Sequence, residues 1–545
     1  MISKLVYFSP ITEIIILTYV FGYGLLIRKF LFKEDNLKNK INEICLFGFC
    51  TTIPISQIYN FFFPLDNYFF YISYIFSITI IFLHKNELKL VKKWFLKLLL
   101  LFILLLPFKY VLKGNEDLYY HLPKVEFLTQ FKIIFGIANI NSSLSFPNGW
   151  AYVSSVFNFL NGAEKNLYLT SYVFYILSIL TIYEYIKSSS SNNIKIILSI
   201  IILFIILRFN RLQEFGNDYQ SQLLIFISLS LFLKYNFNKN INKQLINKII
   251  FFSFFACMFR IYAIFILPMF ILIVLREKGE LFKIIKKRVF IFIFITFVST
   301  SLTSFASSGC FYMPIEKTCI DKSKISWSYS SNIKGLNTHL KSFNTSYNEY
   351  TKINDLTREE WIQNYNWLKF HILSEAFYKP LIKTFAIILA LSIIFGLKYK
   401  INISTINYNN LFLFLLSVCS VQLWLLNTPL FRAGGYAYLA FCLTTFLSVN
   451  FTFKKNFEIK NLRVLIFMFL ILLNFINLSR LNKEVKKYDT SDPFFFTKWH
   501  NLNPAYYLSY INLSKALYSN KAQNQLDNNL ILTKKNSYFY ILENK

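Results

Sequence analysis

The sequence predicts an all-α fold, a polytopic membrane protein with about 13 or 14 transmembrane helices, and three observations lead there. The chain of 545 residues is 55% hydrophobic with a mean hydropathy of +0.43, too apolar for a water-soluble protein of this size. Its apolar runs are continuous rather than alternating, which is the pattern of buried or lipid-facing helices and not of strands. The basic residues behind the net charge of +30 sit in short clusters between those runs. That is the signature of membrane topology, and it excludes nucleic acid as the reason for the charge.

Taken in order, the run 5–27 follows Lys4 and lacks a small-residue cleavage site behind it, so it reads as a retained helix rather than a signal peptide. The connection 28–40 carries Arg28, Lys29, Lys33, Lys38 and Lys40, whereas 61–67 carries no basic residue. Lysines return at 85–93, and later basic connections occupy 234–248, 276–288, 398–400 and 454–463. The positive-inside rule assigns these clusters to the cytoplasm. It leaves outside the N-terminus, 113–167, 210–220, the region of Arg260, 307–379, 427–435 and the tail from 479. The apolar run 249–275 has basic clusters at both ends, so it must cross twice. The break is expected at Phe259-Arg260-Ile261-Tyr262, with Arg260 near the outer side. The organisation is then an amino-terminal four-helix region (1–112), a first outer loop with amphipathic helices (113–162), membrane helices (163–306), an outer insertion (307–379), further membrane helices (380–479) and an outer tail (480–545).

The outer connections carry the chemistry. Gly114-Asn115-Glu116-Asp117-Leu118-Tyr119-Tyr120-His121 places two carboxylates and a histidine just after an apolar run. On a helix Asp117 and His121 share a face. That spacing permits an Asp-oriented histidine or a divalent metal site that Asp218 would complete, and demands neither, so no cofactor is named. The same acidic residues also suit a helix N-terminus. The segment 124–150 reads as an amphipathic, surface-lying stretch with Val125, Leu128, Phe131 and Phe135 at helical spacing, followed by a short helix from Trp150 that dips into the bilayer. The connection at 210–218 offers Arg211, Glu214 and Asp218, and 428–435 offers Arg432 beside two glycines. Arg211, Arg260 and Arg432 therefore come from connections otherwise poor in positive charge. The guanidinium fork suits phosphate, although an arginine at an interface also snorkels to headgroups without further purpose. In the insertion, Cys310 and Cys319 are spaced for a disulfide in an oxidising compartment, with two free thiols as the alternative. Cys45, Cys50, Cys257, Cys419 and Cys442 read as packing residues. Residues 357–375 read as helical with a capping-box start at Thr357. His339, His371 and His500 read as structural or solvated.

This arrangement resembles the GT-C superfamily of lipid-dependent membrane glycosyltransferases. More narrowly, Asp117-Leu118-Tyr119-Tyr120-His121-Leu122, the stretch 136–150, Gly216-Asn217-Asp218, the stretch 308–314 and Phe431-Arg432 are similar to a set of bacterial membrane proteins related to it. The resemblance implies a sugar donor carried on polyprenyl phosphate in the outer leaflet of a bacterial inner membrane. It implies a loop carboxylate that assists the acceptor, here Asp117 or Glu116, and a second acidic position, Asp218. The superfamily usually has one span before its first outer loop, whereas about four precede it here.

The leading expectation is transfer of a sugar from polyprenyl phosphate to a glycan or lipid acceptor outside. Asp117 serves as the catalytic base with Glu116 beside it, and His121, Asp218, Arg211, Arg260 and Arg432 bind substrate. The partners are the lipid-linked donor, the acceptor and membrane lipid, with no nucleic acid. The alternatives are a flippase for a lipid-linked glycan and a surface-polysaccharide polymerase or ligase. A transporter is expected to carry internal repeats and charge deep in its helices, and neither stands out in the sequence.

Overall fold

A computed structural model describes residues 2–32, 40–84, 88–105, 107–108, 121–158, 163–212, 217–237, 243–277, 285–350, 356–403, 408–453, 456–488, 523–527, 530–535 and 538–543. The chain is overwhelmingly helical. Helix α1 (Ile2–Ile27) ends in a π-helical turn (Arg28–Phe32) and packs on α2 (Ile41–Phe62) and α3 (Asn67–Leu83), the last capped by the Asp66 side chain. After α4 (Leu88–Leu104) come two short helices, α5 (His121–Gln130) and α6 (Gly149–Phe157). The centre of the bundle is α7 (Ala163–Ser188), α8 (Asn192–Arg208), α9 (Asp218–Phe237) and α10 (Lys243–Phe259). Helix α8 is apolar all round and buried from Ile194 to Ile206, as a helix with no solvent face must be. Then follow α11 (Pro268–Arg276), α12 (Lys287–Ser308), and the insertion helices α13 (Ile333–Asn344), α14 (Tyr347–Tyr350), α15 (Arg358–Ile362) and α16 (Leu368–Leu373). The last long helices are α17 (Glu375–Tyr399), α18 (Tyr408–Asn427), α19 (Gly435–Asn450) and α20 (Ile459–Tyr488), of which α17, α19 and α20 pack against α8.

Among the described residues seven helices are long and apolar enough, by length and composition, to cross a membrane: Ile11–Phe32, Ile41–Phe62, Leu169–Ser188, Lys287–Ser308, Glu375–Tyr399, Asn410–Asn427 and Ile459–Lys483. They point to a multi-pass membrane protein. The expectation of about 13 or 14 spans also counts shorter apolar helices that fall below this length, such as Asn67–Leu83 and Trp94–Leu104. In the fold α8 and α10 are only 17 residues long, and α9 opens on Asp218, Gln220 and Gln222. Exposed apolar side chains line the outward faces of the spans, among them Phe294, Ile382, Leu389 and Phe475.

The two classes of connection gather at opposite ends of the bundle. At one end Lys248 pairs with the buried Glu43, which also accepts from Tyr185 at 2.6 Å. Asn42 donates to Glu184 there at 2.6 Å, and the Lys286 ammonium reaches the Phe32 carbonyl at 2.6 Å. Arg276 bonds the Tyr235 carbonyl at 2.8 Å. Buried charge is thus present after all: Glu43, Glu184, Lys248 and Arg276 lie within two turns of a helix end near the basic connections, while Glu13 is buried within α1. At the other end meet Asn60 of α2, helix α5, the N-terminus of α9 and the insertion.

The apolar run 249–275 breaks at Arg260, whose extended backbone (φ −151°, ψ 125°) separates α10 from a 3₁₀ turn (Ile261–Ile266) and α11. The helical class expected from the sequence holds, with a few short strands beside the helices: β1 (Ile401–Ile403) pairs with β2 (Phe451–Phe453), and β3 (Gln523–Asp527), β4 (Leu530–Lys535) and β5 (Tyr538–Glu543) form an antiparallel sheet. Strands this short leave no trace in an apolar composition. Two other expectations need correction. The amphipathic segment is helical only to Gln130, and Lys132 to Gly136 turn the chain, so Phe135 meets Trp327 edge-on instead of extending the helix face. Residues 357–375 are not one helix, because Asn364 and Tyr365 at positive φ divide α15 from α16, although the capping box at Thr357 is present.

Helices α1 and α2 approach closely at Gly48, where a Cβ would lie 1.8 Å from the Val20 carbonyl oxygen. Small residues of this kind let backbones meet where lipid supplies no hydrophobic drive. Gly48→Leu is expected to push the helices apart and cost about 1–3 kcal/mol, read as a lower melting temperature of the purified protein. Gly335→Ala, where the added carbon meets nothing within 4 Å inside a helix, is the control that is not expected to lower it and raises it slightly, since alanine is the better helix former.

Candidate functional site

The site begins with a break in each of two helix pairs. The first is Arg260, between α10 and the 3₁₀ turn. The second is Arg432, in a 3₁₀ turn (Phe431–Ala433) that ends α18 and leads through Gly434 into α19. Gly434 adopts φ 107°, a conformation that side chains avoid, and so turns the chain sharply enough to start α19 at Gly435. Between the two breaks stands Asp218, the first residue of α9, where a carboxylate also complements the positive end of the helix. Its Oδ1 pairs with Arg260 and its Oδ2 lies 3.9 Å from Nε of Arg432. Asn217 completes the clasp: its Oδ1 accepts from Arg260 at 3.0 Å while its amide donates to the Phe259 carbonyl. Gln222, one turn along α9, donates to the Arg432 carbonyl at 2.9 Å. Asp218 is 6% exposed, so the pair with Arg260 is largely withdrawn from water, while Arg432 keeps more than a third of its side-chain surface open.

His121 joins this group from α5. It is buried, its Nδ1 lies 3.5 Å from the Asn148 amide, and Asp218, Arg260, Lys124 and Arg432 all act on it electrostatically. Burial first, and the three cations after it, push its imidazole down to about 3 against the opposing pull of Asp218. The ring is therefore neutral at physiological pH, with one nitrogen able to donate and one to accept. Lys124, one turn further, donates to the Phe146 carbonyl at 2.7 Å, and burial brings its ammonium down to about 7. A small cleft of about 40 Å³ opens beside it, lined among others by Lys124, Phe131, Ser145, Asn148 and Tyr152. The site thus combines a clamped carboxylate, two guanidinium groups, a neutral imidazole and an amine that titrates near neutrality, with an amphipathic cleft at its edge.

The insertion roofs the same end. Cys310 and Cys319 are joined by a disulfide, and the buried Met313 sulfur accepts from the Ser145 hydroxyl at 3.2 Å. His371 is buried, with Nδ1 3.0 Å from the Ser346 hydroxyl and Nε2 3.3 Å from the Pro429 carbonyl, so it ties the insertion to the connection that carries Arg432.

The fold brings His121, Asp218, Arg260 and Arg432 together. Arg211 follows the end of α8 on the connection, residues 212–217 stand between it and Asp218, and it is a charged neighbour of Lys383. Glu116, Asp117 and Glu214 lie outside the described residues, as does His500. Among the described residues no group of three His, Cys, Asp or Glu is placed to hold a metal ion. His121 and Asp218 are neighbours, but both Asp218 oxygens already face a guanidinium. The residues described thus fit a metal poorly, and no step is assigned to one. Sequence reasoning missed Lys124, Asn148 and Asn217. Lys124 is one helical turn from His121, and Asn217 adjoins Asp218, so spacing alone was a signal for both.

A family described as "Domain of unknown function (DUF8201)" matches residues 7–438, which include every element of this site, and the chain belongs to that family. No curated protein and no solved structure matches it.

Because the folded state holds His121 at about 3 against an ordinary value near 6.5, its contribution to stability is complete above pH 6.5 and is lost as pH falls toward 3. At pH 5 that loss amounts to about 2 kcal/mol. His121→Gln, which cannot titrate, is expected to reduce the drop in melting temperature between pH 7.5 and pH 5. An unchanged drop in the variant would place the imidazole in water.

Proposed function

We propose that the protein is an integral membrane glycosyltransferase with a GT-C-like fold. It moves a sugar from a polyprenyl-phosphate donor to a glycan or lipid acceptor on the extracytoplasmic face of a bacterial plasma membrane, in the making of the cell surface. The observation that carries this reading is the convergence of His121, Asp218, Arg260 and Arg432, from four separate connections, on the bundle end opposite the basic clusters. The positive-inside rule makes that end extracytoplasmic, along with both termini. The Cys310–Cys319 disulfide at the same end supports the orientation, since disulfides persist in oxidising compartments.

In the proposed reaction an acceptor hydroxyl attacks the anomeric carbon with inversion. The bond from that carbon to the phosphate oxygen breaks, its electron pair leaves with the lipid phosphate, and the hydroxyl proton passes to a carboxylate. Asp117 is assigned as that base. It precedes His121 by four positions, so even a fully extended chain keeps its Cα within about 14 Å of the histidine's. Arg432, the more open of the two clamped arginines, faces the departing phosphate, whose growing charge a preset guanidinium stabilises. Asp218 positions the arginines: held between them, it fixes both guanidinium groups at the helix breaks before substrate arrives. His121 is a neutral hydrogen-bonding partner for sugar hydroxyls.

Asp117→Asn keeps the size and removes the base, so transfer from a labelled polyprenyl-phosphate sugar is expected to fall on the order of 10²–10⁴-fold, with normal protein level. Glu116→Gln is expected to cost less. Arg432→Lys keeps charge but loses the fork, and is expected to raise the donor concentration required for half-maximal rate. Full activity of Asp117→Asn at normal expression would overturn the mechanism, and a transporter, which abstracts no proton, predicts that result.

A further inference from the structure

The cleft beside Lys124 lies between the end of α2, helix α5, the start of α6 and the last turns of α12. Its polar walls are fixed by bonds to the rest of the fold. The Lys124 ammonium is held by the Phe146 carbonyl at 2.7 Å. Ser304 of α12 donates to the Cys310 carbonyl at 3.0 Å and accepts from the Met313 backbone at 3.1 Å. The Tyr152 hydroxyl meets Thr303, whose own hydroxyl is turned to the Thr300 carbonyl at 2.8 Å. Asn148 caps α6 through the Ala151 backbone at 3.1 Å and lies 3.5 Å from His121, so it belongs to the cleft and borders the Asp218 cluster at once. Groups held in advance lose little freedom when a ligand arrives.

The floor shows what a ligand has to supply. Asn60, buried in the last turn of α2, lines the cleft. Its amide nitrogen faces the Leu128 and Phe131 carbonyls at 3.3 and 3.2 Å, which can only accept, so the other end of the amide is the oxygen. That Oδ1 is buried and has no hydrogen-bond partner among the described residues. A buried acceptor in this state is costly, and a ligand that donates to it relieves the cost. Phe127 and Phe131, with ring centres 6.4 Å apart, form an apolar wall. The space of about 40 Å³ holds roughly three water-sized groups, so it takes the edge of a larger molecule and not a whole ring. A hydrocarbon leaves Asn60 unpaired. A sugar edge does not: its hydroxyls donate and accept, matching a wall of amides and hydroxyls, and its ring carbons suit the two phenyl rings.

We propose that this cleft binds the hydroxylated edge of a sugar. Asn60 accepts from one of its hydroxyls, Asn148 and Tyr152 bond to others, and Phe127 and Phe131 take the carbon skeleton. Naming the sugar as the acceptor rests on the glycosyltransferase reading. The acceptor is then the sugar end of a glycan or glycolipid and not a lipid alcohol, and Asn148 sets it beside His121. Sugar binding here does not depend on that reading.

The test is saturation-transfer NMR on the full-length protein in a sugar-free detergent, titrated with methyl glucoside, methyl galactoside, methyl mannoside, methoxytetrahydropyran or glycerol. Saturable binding of at least one glycoside is expected, while methoxytetrahydropyran, the same ring without its hydroxyls, does not bind. Tyr152→Phe removes one hydroxyl and keeps the ring, and is expected to weaken binding about threefold to tenfold. Ser307→Phe, at a half-buried lining position whose hydroxyl bonds the Thr303 carbonyl of its own helix, fills the cleft and is expected to abolish binding. Wild-type binding in Tyr152→Phe and in folded Ser307→Phe would place the sugar elsewhere and overturn the proposal. Binding of no glycoside would leave the cleft to water alone and overturn it. Equal binding of methoxytetrahydropyran would make the cleft an apolar pocket, and glycerol binding as tightly as the glycosides would make its ligand a lipid glycerol headgroup; either result overturns the sugar. The titration contains no donor, so it separates from the transfer reaction. Glycoside binding beside a failed transfer assay would keep the site and remove the transferase reading, and transfer to a lipid alcohol without glycoside binding would do the reverse.

Discussion

Asp218 holds together two arginines that the apolar bundle would otherwise expel. Arg260 and Arg432 each sit where a helix is interrupted, and an interrupted helix at membrane depth is tolerated only where its freed polar groups find partners inside the protein. The carboxylate, Asn217 and Gln222 supply them, linking α9 to both breaks. Removing one member of a buried ion pair leaves an uncompensated charge, which costs far more than the intact pair contributes. The geometry of the whole end therefore depends on this clasp. It decides how the 3₁₀ turn after Arg260 runs and how α19 starts, and it gives His121 the charged surroundings in which burial keeps it neutral.

Much of this was legible in the sequence, for reasons that particular residues make plain. The break at Arg260 followed from a parity argument: an apolar run flanked by lysines and arginines at both ends has to turn back, and its one arginine is the place least able to stay in lipid. Asp218 and Arg432 stood out as charged residues in connections otherwise short of them. Charge bookkeeping groups Arg211 with Arg260 and Arg432 by side of the membrane and says nothing about where each lies around the bundle; in the fold Arg211 is a charged neighbour of Lys383. The short β-strands were invisible, since an apolar-rich composition hides pairings only three to six residues long.

The clasp holds its guanidinium groups in place beforehand, which is what the proposed transfer needs where charge develops on a departing phosphate. The cleft beside Lys124 and Asn148, with aromatic walls and hydroxyl groups, lies at the edge of the Asp218 cluster. The Cys310–Cys319 disulfide and the His371 contacts to Ser346 and Pro429 hold the insertion over this end.

The most direct test of this account is a transfer assay with the purified protein in proteoliposomes, offered a panel of radiolabelled polyprenyl-phosphate sugars and an acceptor extract from the source membrane. The account predicts that label from one donor leaves the lipid and appears in an acceptor with inverted anomeric configuration, releasing the polyprenyl phosphate. Label that stays on the lipid with every donor, and only changes leaflet, would contradict it and make the protein a transporter.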